Sequence, residues 1–287
     1  MNSHVPPLLF LKLLLFKDMK AGILLLRGGL GNQLYQLSAL AYFSAKFKFI
    51  PIIYDFDTRS FQSLHTSPYE SLRIGSWFHN SFPPIVLRGV WELLLRVVLS
   101  INRRYSFFRL VSENNLETIN FKVPKFLLIR DSFQNCKYPL KLPQTFHKEF
   151  FMLNSEDCLE NKNNRAAVHI RLTDFLPQNP FDYNYYAESI SKISKFRIEQ
   201  IDCFSDDVSN AKSLISPILN FPTVWPEDQT SYSSVKFLEE FSLYPIIIAS
   251  KSSLCWWASF LAWKRNPNLY LVHPWDEVED FILANTF

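Results

Sequence analysis

Apolar positions along the chain follow two periods. Residues 22–27 (Gly-Ile-Leu-Leu-Leu-Arg) form a continuous apolar run of strand length, the pattern of a parallel strand covered on both faces. From 32 to 47 the spacing becomes helical, with Leu34, Leu37, Leu40 and Ala41 on one face and Tyr42 and Phe43 beside them. Ile50 to Tyr54 reads as the next strand, so the chain opens with a β–loop–α–β unit. The spacing predicts a helix over 88–110, apolar through Trp91, Leu94, Leu95, Val98 and Ile101 and basic at Arg96, Arg103, Arg104 and Arg109. Phe126 to Ile129 is a further strand. The polar stretch Lys141–Asn164 is expected to hold an interdomain linker.

The second half alternates strand and helix. Strands are predicted at Ala166–Ile170, Gln200–Phe204, Phe221–Val224, Ile246–Ala249 and Leu269–Val272. Helices are predicted near 183–194, 207–215, 233–243 and 253–264. This alternation predicts parallel α/β sheets, whose ligands bind at the carboxyl ends of the strands. The expected domains are 19–150 and 160–287, with a cleft between them. Residues 1–18 are expected to lie outside the core. Their apolar run, Val5 to Phe16, is interrupted by Lys12 and falls short of the roughly 20 residues that span a bilayer. No small-residue cleavage site follows, which argues against a signal peptide. Met19 reads as the natural start, the alternative being a short membrane-surface anchor.

Composition adds one clue. The 287 residues contain 6 Gly and 27 Phe, where an average chain would hold roughly 20 glycines. Four of the six glycines, Gly22, Gly28, Gly29 and Gly31, lie within ten residues. Charge adds another. Residues 1–150 carry 19 Lys and Arg against 9 Asp and Glu, a net +10, and the remainder carries 11 against 18, a net −7. A basic half suits an anionic acceptor or peripheral contact with an anionic membrane surface. The plainer reading is solubilisation of an apolar domain. Cys136, Cys158, Cys203 and Cys255 show no zinc spacing. They fit a reducing cytoplasm, although an even count leaves disulfides open.

Four segments carry chemistry. Arg27-Gly28-Gly29-Leu30-Gly31-Asn32-Gln33 joins a buried strand to a helix, so its amides and the helix dipole can hold an anion or a hydroxyl. No Gly-Lys-Ser/Thr follows, and Leu34 stands where a dinucleotide loop needs its third glycine. A glycine turn without a ligand is the structural alternative. His169-Ile170-Arg171-Leu172-Thr173-Asp174 ends a strand, where Arg171 can present its fork to a phosphate. Taken alone, Arg171 reads as an ion-pair partner and His169 as a core histidine. Phe204-Ser205-Asp206-Asp207 ends the next strand with acids able to accept bonds from a sugar or base, or to cap a helix. Ser250-Lys251-Ser252-Ser253 precedes the last helix, where Ser252 or Ser253 can cap that helix and donate to a diphosphate. The tryptophans Trp256 and Trp257 read as core. Asp55-Phe56-Asp57 matches an Asp-x-Asp metal pattern only weakly.

In this order the segments resemble the bacterial α-1,2-fucosyltransferases of glycosyltransferase family 11. Gly28 to Gln36 reads GGLGNQLYQ against the family's Gly-Gly-Leu-Gly-Asn-Gln-Met/Leu-Phe-Gln. His169, Arg171 and Asp174 match the family's His-x-Arg-Arg-Gly-Asp, with Leu172 replacing the second arginine and Thr173 the glycine. Phe204 to Asp207 matches Phe-Ser-Asp-Asp, and Ser250 to Trp257 is similar to the family's Ser-Asn-Ser-Ser/Thr-Phe-Ser-Trp-Trp. Asp55 resembles the aspartate after the family's second strand, which argues against a metal.

The resemblance implies a GT-B fold of two Rossmann-like domains with parallel sheets facing a central cleft. It implies an inverting enzyme that moves L-fucose from GDP-β-L-fucose to a galactose 2-hydroxyl, with no metal. Arg171 is then expected at the β-phosphate, joined by Ser252 or Ser253. His169 and Asp206 are expected at guanine or ribose, with Gly28, Gly29, Gly31, Asn32 and Gln33 facing the cleft. Asp174 and His169 are the candidate bases. The expected acceptor is a galactose-terminated glycan, lipid-linked at the cytoplasmic membrane face in surface-polysaccharide assembly, and nucleic acid is no expected partner. The competing readings are another GT-B nucleotide-sugar transferase, a nicotinamide oxidoreductase on Gly29-x-Gly31, and a non-catalytic membrane-surface protein.

Overall fold

The structure is a computed structural model that describes residues 20–55, 85–86, 108–112, 126–141, 162–172, 181–225 and 234–275. The chain divides into two compact units, Met1–Phe150 and Phe151–Phe287. The boundary falls within the polar stretch 141–164. Residues 1–18 and Asp174 lie outside the described residues.

The first unit begins with β1 (Ala21–Leu26), α1 (Leu30–Phe47) and β2 (Ile50–Asp55), followed by β3 (Ile85–Val86), β4 (Phe108–Val111), β5 (Phe126–Ile129) and the short α2 (Lys137–Leu140). The strands pair in the order β3-β2-β1-β5-β4, every pair parallel. β1 lies at the centre and is covered on both faces, which is why its sequence is an unbroken apolar run. Gly22 sits in β1 because the Phe49 ring packs where a Cβ would be, 2.5 Å away. α1 begins directly after Gly29, two residues earlier than its apolar period predicts, and ends at Lys48 in a left-handed C-cap (φ 53°). Its Leu34, Leu37, Leu40 and Phe43 are fully buried. At about 1.5–3 kcal/mol for each large side chain, they anchor the helix to the sheet. The buried hydroxyls Ser38 and Ser44 donate to carbonyls three residues back.

The helix predicted over 88–110 is corrected at 108–110. Phe108–Val111 is a strand paired in parallel with β5, Phe108 opposite Phe126 and Val111 opposite Ile129. A short run rich in Phe and Val gains more from this pairing than from one more helical turn. Residues 88–107 lie outside the described residues.

The second unit contains β6 (Arg165–Ile170), α3 (Tyr183–Ile193), β7 (Gln200–Ser205), α4 (Val208–Ile215) with a 3-10 turn at Ser216–Ile218, β8 (Thr223–Val224), α5 (Ser234–Phe241), β9 (Ile246–Ile248), α6 (Ser253–Arg265) and β10 (Tyr270–Val272). Strand order is β10-β9-β6-β7-β8, again all parallel. Numbered within the unit this is the 3-2-1-4-5 order of a Rossmann half. Its base is tied by the buried Asp202, whose carboxylate meets Lys162 and Arg165 at 3.4 Å and accepts from Tyr244 Oη at 2.5 Å. Both sheets reverse their strand order beside their first strand, at β1/β5 and at β6/β9. Ligands of open α/β sheets bind at such points.

Candidate functional site

In the second unit the reversal point carries a cavity of about 750 Å³, lined by Arg171, Phe181, Tyr183, Tyr185, Lys251 and Pro274 among others. The pairing of β6 with β7 sets Ile170 opposite Ser205, so the residues that follow each strand meet. Arg171 Nε donates to Asp206 Oδ2 at 3.1 Å, and Asp206 Oδ1 accepts from the Leu172 amide at 2.9 Å. Both carboxylate oxygens therefore face the Arg171 segment. Asp206 thereby holds the arginine. Leu172 turns its side chain into the core and is only 2 % exposed. Ser205 Oγ accepts from the Asp207 amide, and Asp207 caps α4 by accepting from the Asn210 amide at 3.1 Å.

His169 is 5 % exposed and packs against Phe237, with ring centroids 4.7 Å apart. Its Nδ1 hydrogen-bonds Ser250 Oγ at 2.6 Å, which joins the β6 and β9 strand ends. Burial pushes its pKa down to about 3, against the opposing pull of Asp206, so the ring is neutral at neutral pH. Ser252 occupies the N-cap of α6, but its hydroxyl makes no capping bond, contrary to the cap expected there. Ser253 opens the helix. Trp256 and Trp257 are buried in α6, Trp256 stacked on Phe260 at 5.2 Å.

The third wall is the start of α3, which sequence reasoning did not select. Asp182 caps it by accepting from the Tyr185 amide at 3.0 Å. Tyr185 Oη donates to the Ala249 carbonyl at 2.5 Å, and Tyr186 Oη donates to the His169 carbonyl at 2.9 Å. Burial raises both phenol pKa values, so both hydroxyls remain donors. Phe181 stacks on Tyr186 at 5.0 Å. The described lining thus combines the cationic side chains Arg171 and Lys251 and the carboxylate of Asp182 with aromatic walls.

In the first unit the reversal point carries the glycine loop. Gly28 is left-handed at φ +76°, a conformation that favours glycine. Gly29 precedes α1, whose first turn has neither a side-chain cap nor an acid. The Gln36 amide pairs with both the Arg27 N–H (3.0 Å) and the Arg27 carbonyl (3.1 Å), and Gln33 Nε2 donates to the Gly28 carbonyl at 2.7 Å. Gln33 and Gln36 are almost fully buried, so they brace the loop from within. Gly31 is buried inside α1. Asn32 Oδ1 accepts from Gln134 Nε2 at 2.7 Å. That contact ties the loop to the segment after β5, where the buried Phe133 is held at φ +52°. Asp55 ends β2, and Asp57 lies outside the described residues. Cys136, Cys203 and Cys255 form no disulfide with one another, and Cys158 lies outside the described residues.

No protein-family model matches the chain, and no curated protein matches it. Solved structures do. The chain is similar to the fucosyltransferase NodZ from Bradyrhizobium, with TM-score 0.52 and 11 % identity over 85 % of this chain and 93 % of that one. It is similar to POFUT1 in complex with GDP-fucose, with TM-score 0.51 and 8 % identity over 89 % of this chain and 97 % of that one. It is also similar to a GDP complex of a mutant Arabidopsis thaliana FUT1, with TM-score 0.50 and 11 % identity over 90 % of this chain and 71 % of that one. The architecture is therefore α/β of the GT-B type, with parallel sheets in both units.

Proposed function

We propose that the protein is an inverting glycosyltransferase that uses GDP-fucose as donor. The observation that supports this most is the Arg171–Asp206 pair at the rim of an aromatic-walled cavity, placed at the strand-order reversal of a GT-B-type fold. Fucosyltransferases sharing that fold have been solved with GDP and with GDP-fucose.

In this reading the acceptor oxygen attacks the anomeric carbon from the face opposite the diphosphate. The bond from that carbon to the diphosphate oxygen breaks, and its electron pair leaves with GDP. Protein donors must then meet the charge on the leaving group. Arg171 supplies a guanidinium held in place through its Nε, and Ser252 and Ser253 supply the hydroxyl and amides at the start of α6. Of the two candidate bases for the acceptor proton, His169 is the poorer. It is buried, bonded to Ser250, and too weakly basic at a pKa of about 3. The reading therefore assigns that role to Asp174. His169 positions Ser250 and the strand ends.

The finer reading is transfer to a galactose 2-hydroxyl in α-1,2 linkage. It rests on the GGLGNQLYQ segment and the other motif matches. Action on a lipid-linked glycan at the cytoplasmic membrane face, with peripheral contact through the first unit, rests on the +10 charge of residues 1–150. Calorimetry tests the donor: GDP is expected to bind and UDP is not. Turnover of a UDP-hexose in place of GDP-fucose would overturn the reading, and linkage analysis of the product tests the acceptor.

A further inference from the structure

We infer that Lys251 is a diphosphate-binding residue, the second cation of the cavity beside Arg171. This rests on the donor reading above and names a contact within it.

Charge carries the argument. Arg171 is ion-paired with Asp206 at 3.1 Å, so the two together bring no net charge to the cavity. Leu172, next along the chain, points into the core and brings none either. Asp182, also in the lining, is a carboxylate committed to the α3 N-cap. A nucleoside diphosphate carries several negative charges, and a cavity with only these groups would not offset them. Lys251 lines the same cavity, is exposed, and makes no ion pair or side-chain hydrogen bond with any described residue. It stands two residues before α6, whose N-cap serine leaves the first-turn amides without a side-chain acceptor. An exposed ammonium beside an uncapped helix start suits a phosphate, with Lys acting as a point charge next to the planar fork of Arg171. Among the described residues folding gives this lysine no partner, which is the expected state of a group reserved for a ligand.

The test is titration of Lys251→Met and Lys251→Arg with GDP, GMP and inorganic pyrophosphate. Lys251→Met is expected to weaken GDP by about tenfold at low salt and GMP by less than threefold, as loss of one charge-assisted contact predicts. The loss is expected to shrink as salt rises, because the ammonium is exposed, and Lys251→Arg is expected to recover most of the affinity. A purely structural lysine would move none of these readouts. Unchanged GDP affinity in Lys251→Met, or an equal loss for GDP and GMP, overturns the assignment. Should the unaltered protein bind no GDP, the donor reading fails by itself. Pyrophosphate then decides on Lys251: binding weakened by Lys251→Met supports the anion site, and unaltered or absent binding overturns it.

Discussion

After β1 the chain turns its polar side chains inward. Gln33 and Gln36 are buried against the backbone of their own loop, and Asn32 is held by Gln134. After β6 and its neighbour β9 the chain turns them outward. Arg171 and Lys251 line a cavity, and the buried His169 and Tyr186 only hold the strand ends that carry them. The two segments occupy the same topological place in their sheets, beside the first strand where strand order reverses. Topology therefore offers a binding position in each unit, while side-chain chemistry fills it differently: a preformed backbone surface in the first unit and a charged pocket in the second.

The largest expected effect falls on the charged pocket. Arg171→Ala is expected to lower transfer by about 10²–10³-fold or more while the protein keeps its melting profile, since removing a single donor from developing charge has that magnitude. Activity within tenfold of the unaltered protein would break the comparison, because Arg171 would then not be an essential cation of the second unit.

Next is a pH effect confined to the second unit. His169 titrates near 3 in the folded chain and at the ordinary 6.5 when unfolded. At neutral pH both states hold it neutral. As pH falls below 6.5 the unfolded state gains a proton that the folded state refuses, so stability declines from 6.5 down towards 3. The slope from this one group approaches about 1.4 kcal/mol per pH unit within that window. Urea unfolding at pH 7 and pH 5 should show it, and His169→Asn should flatten it even if that variant is less stable throughout. An unaltered slope in the variant would mean that the ring is not held neutral by its burial against Phe237 and Ser250.

The fold was legible wherever burial was two-sided. The runs at 22–26 and 246–248 are apolar throughout, and 166–170 is broken only by the buried His169, because parallel strands are covered on both faces; each forms a strand. The run at 108–110 reads as helix in the sequence because its strand character depends on β5, 18 residues further along the chain. The site was legible as positions rather than roles. Arg171, Asp206 and the serines before α6 stand at strand ends, as their spacing predicts. That Asp206 grips Arg171 could not be read, since it depends on the β6–β7 register. Tyr185 and Tyr186 escaped notice because their hydroxyls act on carbonyls 64 and 17 residues away.

The smallest expected effect on stability is also the one that sharpens the comparison most. Gly28 is left-handed, and a Cβ there would lie 3.2 Å from the side-chain Nδ2 of Asn32. Gly28→Ala should therefore cost about 1 kcal/mol or more. Gly29 has an ordinary φ of −65°, and a Cβ there would meet nothing within 4 Å. Neither backbone strain nor packing against the described residues accounts for glycine at that position. Gly29→Ala should leave the melting temperature unchanged or slightly higher, because alanine reduces the freedom of the unfolded chain. If transfer nevertheless falls, the missing side chain leaves room for a molecule outside the unit, and the glycine loop is a binding surface whose donors are backbone amides. If transfer is unaffected, the buried glutamines of the first unit support a scaffold, and the chemistry belongs to the second unit alone.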